Sequence, residues 1–372
     1  MIQELVKHFN PLDYLEIWLL LAFLIAFFVS LTSFPAIFNV AIAKHLMDEP
    51  DDRSVHDRKT PTLGGVGIFI SLAVVITTVG ALLDTKILLL VLGSMTVLFF
   101  LGLKDDLLIL SPRKKFFGQL MAASLLIIFT DTRILGLSGV FGITILPYWL
   151  SVLFTLFVYV LLINAYNLID GVDGLAGCLA VAGCASFAYL FIKTGDITMS
   201  TLTVGAIGAI IPFLRLNFSK RKKIFMGDTG SMIVGFLIAF CAVRFINTTE
   251  LNPKSEFFKS APILALSIAF FPLLDTLRIF IIRLVVLRTS PFTADQNHIH
   301  HRYLKLGLSH AQTTIYIVVL NLMLIAFVYQ IGHLDTIVQF LLMALVGTLL
   351  YSSLFIYNWL IIKKWLPDSM RT

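Results

Sequence analysis

Hydrophobic positions in this chain gather into long runs broken by short polar stretches. A helix that crosses a bilayer needs about 20 apolar residues, with about 17 as a practical floor. By that measure the sequence predicts eleven spanning helices: 14–38, 64–83, 87–104, 116–130, 145–163, 174–192, 198–215, 229–246, 260–287, 313–331 and 337–362. The fourth, seventh and eighth are short or interrupted, as expected of helices that tilt or are shielded by their neighbours. No long internal repeat or low-complexity segment divides the chain. Residues 1–372 are therefore expected to form one domain, an all-α polytopic membrane bundle with short loops. The first run follows one Lys and two acidic residues and exceeds 20 residues, so it is expected to stay as an anchor rather than be cleaved as a signal peptide.

Charge assigns the sides, because Lys and Arg collect in cytoplasmic loops. Loop 39–63 carries Lys44, Arg53, Arg58 and Lys59. Loop 104–115 carries Lys104, Arg113, Lys114 and Lys115, and loop 215–228 carries Arg215, Lys220, Arg221, Lys222 and Lys223. Loop 288–312 adds Arg288, Arg302 and Lys305; the tail adds Lys363, Lys364 and Arg371. The alternate connections hold only Lys7, Lys86, Arg133, Lys193, Lys254 and Lys259. With eleven spans, this bias puts the N-terminus outside and the C-terminus in the cytoplasm. Segment 164–173 falls on the cytoplasmic side as well.

Composition agrees with a bilayer setting. The chain is 58% hydrophobic and 13% charged, where soluble domains run near one quarter charged. The net charge of +6 belongs to the loop bias, and no nucleic-acid-binding motif accompanies it. Cys178, Cys184 and Cys241 all fall inside apolar runs without metal spacing and read as packing residues.

The polar motifs all map to the face so defined. They are HDRKTPTLGG before the second span, Asp105-Asp106 followed by RKKFFGQ, NAYNLIDGVDGLAG at 164–177, FMGDTGS around Asp228, and NHIHHR at 297–302. Five distant loops offering carboxylates, cations and glycines on one surface suggest a single site. Asp and Asn oxygens suit magnesium, which takes one or two protein carboxylates plus substrate phosphates. Glycines admit a phosphate to a helix N-terminus, and Lys, Arg and His can hold a pyrophosphate. The set favours phosphoryl transfer, in which positioning and charge neutralisation do most of the work.

Each motif also has a plainer explanation. Asp105-Asp106 can solvate a helix end, Asp228 can cap a helix, and KRKK can fix topology or touch anionic lipid. DGVDG lacks the spacing of a calcium loop. The three histidines have no Cys companion and no zincin spacing, so zinc is not expected. Asp275 and Arg278, three apart in the ninth span, are expected to form an ion pair on one helix face. An unpaired charge there costs roughly 2.5–3.5 kcal/mol on insertion scales. Pro272 is expected to bend this helix, which is the candidate wall of a lipid groove.

In order from Asp57 to Arg302, the motifs TPTLGG, LGLKDD, RKKFFGQ, NAYNLIDGVDGLAG, FMGDTGS and HIHHR resemble those of the polyprenyl-phosphate N-acetylhexosamine-1-phosphate transferases, the WecA/TagO and MraY superfamily. The resemblance implies a magnesium-dependent enzyme of the bacterial cytoplasmic membrane, with its active site facing the cytoplasm. It would move a sugar-1-phosphate, GlcNAc-1-phosphate above others, from a UDP-N-acetylhexosamine to undecaprenyl or another polyprenyl phosphate, releasing UMP. That step opens cell-envelope glycan assembly, such as O-antigen or teichoic acid. By the same resemblance Asp228 is the principal metal ligand and Asn167 a second. Asp105, Asp106, Lys115 and Asp170 are the catalytic group, with Asp105 and Lys115 near the lipid phosphate. Asp173 matches the uracil-recognition position, Phe225 the aromatic that stacks on the base, and Asn217 a substrate-pocket asparagine. His298, His300, His301 and Arg302 match the loop around the diphosphate. A phospho-N-acetylmuramoyl-pentapeptide transferase stays open as an alternative within the superfamily, and a lipid-linked sugar transporter as one outside it. Pairing with a second copy also stays open. Transporters place polar groups near the midplane and often carry inverted repeats; here the polar motifs keep to one face.

Overall fold

A computed structural model describes residues 14–44, 46–48, 60–108, 110–288 and 298–365, with no side-chain account of Met47, Asp48, Phe141, Tyr357 or residues 359–365. Lys7, Arg53, Asp57, Arg58, Lys59 and Arg371 lie outside the described residues, and Lys363 and Lys364 lie among those without side chains.

Among the described residues, thirteen α-helices carry the fold. The first eight are α1 (Leu15–Ala43), α2 (Gly64–Thr78), α3 (Thr85–Leu108), α4 (Pro112–Thr130), α5 (Tyr148–Ile169), α6 (Leu175–Thr194), α7 (Ile197–Asn217) and α8 (Gly227–Glu250). Then come α9 (Ala261–Ile268), α10 (Phe270–Ile281), α11 (Ile299–Lys305), α12 (His310–Gln330) and α13 (Thr336–Trp365). The described strands are one antiparallel pair, β1 (Met47–Asp48) with β2 (Thr60–Pro61).

Among the described residues, nine helices are long and apolar enough to cross a membrane. They match nine of the eleven expected spans. The other two differ for visible reasons. The fourth expected span, 116–130, begins inside α4, whose first turn holds Arg113, Lys114 and Lys115. The ninth, 260–287, is broken: α9 ends at Ile268, α10 restarts at Phe270, and a π-helical stretch runs from Ile282 to Leu287. Pro272 sits in the first turn of α10, where a missing N–H costs nothing. The bend therefore falls three residues before the proline, at Ala269.

Helix α8 is the central pillar. Of its most apolar stretch 94% is buried inside the protein, against 28% for α1 and 22% for α13. Helices α2, α3, α5, α6 and α9 surround it, so its apolar residues face protein rather than lipid. Close approach comes from small residues, as expected where lipid supplies no hydrophobic drive between helices. A Cβ on Gly65 would lie 2.1 Å from Gly230 N, in the first turn of α8. That neighbour is backbone and has no side chain to swing away. Gly65→Val is accordingly expected to lower folding stability by about 1–3 kcal/mol or more, read as a lower thermal midpoint in detergent than wild type.

The segments at one end of this bundle are tied by backbone. Phe225 N–H donates to Pro61 O at 2.8 Å, and Gly64 and Gly65 N–H donate to Phe225 O and Met226 O at 2.9 Å each. The TPTLGG segment is thus stitched to the entry of α8.

Candidate active site

Asp228 opens the first turn of α8, and everything else is organised around it. The four N–H groups at a helix start lack internal partners and make that end electropositive. Here the cap comes from another helix. Asp106, near the end of α3, accepts Asp228 N–H at 2.7 Å, Thr229 N–H at 3.1 Å and the Thr229 hydroxyl at 2.6 Å. Asp228 therefore does not serve as its own helix cap, and its side chain is left for other work. Gly227 holds φ +72° to make the turn, a conformation that suits glycine.

The Asp228 carboxylate meets Lys115 Nζ at 2.7 Å and Asn167 Nδ2 at 2.6 Å; Asn167 also donates to Ser231 Oγ at 2.9 Å. The same ammonium contacts Asp105. Asp105 is buried and accepts Leu110 N–H at 2.5 Å through its other oxygen. Lys115 thus bridges two carboxylates brought from α3 and α8. Asp170, just past α5, joins them. Burial, then the nearby Asp228, Asp106 and Asp173, push its carboxyl well above the usual carboxylate range, although Gly227 N–H is hydrogen-bonded to it. Negative charge is crowded here beyond what one lysine offsets.

Beside this cluster lies a second group. Asp173 pairs with Lys223 Nζ at 2.7 Å, with His310 Nδ1 3.4 Å away. Lys223 lies 5.1 Å above the Phe225 ring. Buried Asn217 accepts Gly174 N–H at 2.5 Å and donates to Ile224 O at 2.8 Å, joining the DGVDG loop to the segment before α8. Across the loop stand the histidines of α11. A Cβ on Gly171 would lie 3.6 Å from His301 Nε2 and 3.8 Å from His300 Nε2. Burial above all holds the His301 imidazole down to about 3, so it is neutral at physiological pH.

The structure therefore brings Asp105, Asp106, Lys115, Asn167, Asp170 and Asp228 into one cluster, with Asp173, Asn217, Phe225, His300 and His301 around the adjoining loop. His298 stacks on His300, further back. Arg302 is exposed, and its guanidinium lies 5.7 Å over Phe355 of α13. Asp275 does not rely on the expected i,i+3 partner Arg278. It is held instead by His298, His300 and the Ile299 N–H, more than 20 residues away. Thr229, Ser231, Lys223 and His310 were not singled out from the sequence. Lys223 had a signal: two residues before Phe225 in a non-helical segment, it shares that residue's side.

Asp106→Asn tests the cap. An amide has one accepting oxygen where the carboxylate has two, so at least one N–H of α8 is stranded. Stability is expected to fall by about 1–3 kcal/mol, and turnover by about 10–100-fold, as for partners that orient a reacting group. Thermal unfolding beside a turnover assay checks both.

Two clefts of about 780 Å³ each lie at the opposite end of the bundle, one beside Asp196 and Arg244 and the other beside Arg133 and Glu250. They are remote from the acidic cluster. An apolar cavity of about 220 Å³ lies between α5, α8, α9 and α10, lined by Phe154, Val158, Leu162, Ala242, Leu266 and Leu273 among others.

Comparison with known proteins agrees with the motif reading. The glycosyl transferase family 4 model matches residues 88–246. A probable undecaprenyl-phosphate N-acetylglucosaminyl 1-phosphate transferase of Bacillus subtilis (strain 168) is 32% identical over 327 residues, 86% of each chain. A decaprenyl-phosphate N-acetylglucosaminephosphotransferase of Mycobacterium tuberculosis is 33% identical over 72% of this chain and 71% of its own. An undecaprenyl-phosphate alpha-N-acetylglucosaminyl 1-phosphate transferase of Escherichia coli (strain K12) is 28% identical over 88% and 86%. Fold and match together define a polytopic membrane glycosyl transferase of family 4. Within that class, the chain belongs to the polyprenyl-phosphate N-acetylhexosamine-1-phosphate transferase family.

Proposed function

We propose that this protein transfers GlcNAc-1-phosphate from UDP-GlcNAc to undecaprenyl phosphate, with magnesium, at the cytoplasmic face of a bacterial cell membrane. The observation that carries this reading is the Asp105–Lys115–Asp228–Asn167 cluster at the entry of the most buried helix, one loop away from Asp173 and Phe225. Relatives whose names state this activity support the choice of sugar and lipid.

The donor set fits magnesium. It consists of carboxylate and amide oxygens without sulfur. The ammonium of Lys115 between two carboxylates marks a place that demands positive charge. Asp228 would hold the ion with Asn167, whose amide then presents its oxygen. When bound, magnesium neutralises the diphosphate and stabilises charge during displacement.

The chain's own residues do the rest. Phe225 offers a face to the base and Asp173 an acceptor to its N–H edge, while Asn217 keeps their two segments together. The histidines of α11 wall the sugar-diphosphate side of Gly171. Lys115 holds the lipid phosphate beside Asp105. An oxygen of that phosphate attacks the sugar-bearing phosphorus, the bond from that phosphorus to the bridging oxygen breaks, and UMP leaves with that oxygen. The sugar C1–O bond is untouched. A phosphate monoester has its second pKa near 6, so the attacking oxygen is largely unprotonated at pH 7. Asp105 therefore positions it and need not take a proton. The apolar cavity beside Leu273 and Leu266, toward the far end of the bundle, is the place for isoprene units distant from the phosphate, next to the bent ninth span.

A panel of UDP-sugars tests this, using purified protein, undecaprenyl phosphate, and magnesium or a chelator. UMP release is expected with UDP-GlcNAc and magnesium, and not with the chelator. Movement of a lipid-linked sugar without UMP would refute the reading.

A further inference from the structure

Asp275 lies in the broken ninth span, wholly buried, and the reaction above makes no use of it. Its Oδ2 faces two imidazoles, His298 Nδ1 at 3.0 Å and His300 Nδ1 at 2.9 Å. Its Oδ1 accepts Ile299 N–H at 2.5 Å. An ionised carboxylate accepts hydrogen bonds and donates none, so both Nδ1 atoms must carry the proton. In a neutral imidazole that leaves Nε2 bare. The two rings stack with centroids 5.1 Å apart and planes 25° apart, so neither turns alone.

His300 is fully buried, and its Nε2 has no hydrogen-bond partner among the described residues. A buried polar atom without a partner calls for an explanation. This one faces Gly171, between Asp170 and Asp173, and Gly171 is itself exposed. The bare nitrogen therefore sits just under the mouth of the site. Its lone pair suits a hydrogen-bond donor from a ligand.

We propose that Asp275 is a positioning residue for the nucleotide sugar. Its carboxylate locks His298 and His300 as Nδ1–H tautomers, so that His300 Nε2 is offered as an acceptor to a hydroxyl or amide N–H of the bound sugar. The proposal rests on the transferase reading for its ligand, but the tautomer it requires does not. Asp275, His298 and His300 also have ligand atoms within 4.8 Å of one another. With three N–H donors already on the carboxylate, that grouping is complete without an ion.

Two measurements test this. In ligand-free protein labelled with ¹⁵N-histidine, the His298 and His300 signals, assigned by their loss in His298→Gln and His300→Gln, are expected to be protonated at Nδ1, beside that of His333, whose Nδ1 faces Gln330 O. Asp275→Asn is expected to lose both, because the Ile299 N–H claims the single amide oxygen and the NH₂ left facing the two Nδ1 atoms accepts from neither. Nε2–H tautomers for both rings in wild type would overturn the proposal, whatever the enzyme's substrate. One bound zinc per chain, absent from Asp275→Asn, would overturn it too, making Asp275 a ligand.

In turnover assays, Asp275→Asn is expected to raise the KM for UDP-GlcNAc about tenfold, as for partners that orient a binding group, with kcat changed less. On a His300→Gln background the same substitution is expected to add less than about twofold, since Asp275 acts through His300. An equal effect on both backgrounds, or a lower thermal midpoint with unchanged KM, would show a merely structural role and sink the proposal. A wild type inactive on every UDP-sugar would remove the transferase reading; the tautomer measurement would still decide the role of Asp275.

Discussion

Asp228→Ala is expected to reduce turnover by about 10³-fold or more, the scale of losing a principal electrostatic group in a transition state. The protein should remain folded, because the cap on α8 uses the backbone N–H of residue 228 and not its side chain. What disappears is the carboxylate that meets both Lys115 and Asn167. Two observations then check one another. UMP release should collapse, and calorimetric titration with magnesium in the presence of UDP-GlcNAc should lose its binding heat. The thermal midpoint should stay near the wild-type value. Activity at the wild-type level would show that Asp228 holds nothing the reaction needs.

The second large effect is at Lys115. Lys115→Met leaves Asp105 and Asp228 facing each other without the ammonium between them. Asp105, with its side chain only 3% exposed, keeps the Leu110 N–H and otherwise faces the Asp228 carboxyl. Leaving a buried charged group so poorly paired costs on the order of 1–3 kcal/mol, so some loss of stability accompanies the loss of function. The kinetic loss is expected to be about 10²–10³-fold in kcat/KM for the lipid phosphate. Most of it should appear as a higher KM for that substrate, since in the proposed mechanism Lys115 holds the acceptor. Lys115→Arg should not restore activity, because a planar fork cannot replace a compact ammonium between two carboxylates. Full activity in Lys115→Arg would show that only positive charge is required there.

Much of this was legible in the sequence, for physical reasons that differ from element to element. Long apolar runs can only be satisfied as helices in a bilayer, so the positions of α1, α2, α3 and α5 to α8 followed from hydropathy. The meeting of the DGVDG and GDTGS loops followed from counting spans, because alternating passes return every second loop to the same end. The exchange of roles between adjacent acids was not legible. Asp105 and Asp106 differ by one position, and about 100° of helix turn sends one to Lys115 and the other to the N-terminus of α8. Nor could spacing show that Asp275 belongs to the histidines, since that contact closes across the loop before α11. The break at Ala269 was hidden by a run that is apolar on both sides of it. His310 reaches Asp173 only because the start of α12 packs beside the start of α6.

The central claim is that phosphorus, and not the sugar alone, changes hands. UDP-GlcNAc labelled only at its β-phosphorus, incubated with purified protein, magnesium and undecaprenyl phosphate, measures this directly. The label should appear in the lipid diphosphate sugar, with unlabelled UMP released in equal amount. Recovery of the label in free UDP, with the sugar joined to lipid monophosphate, would contradict it.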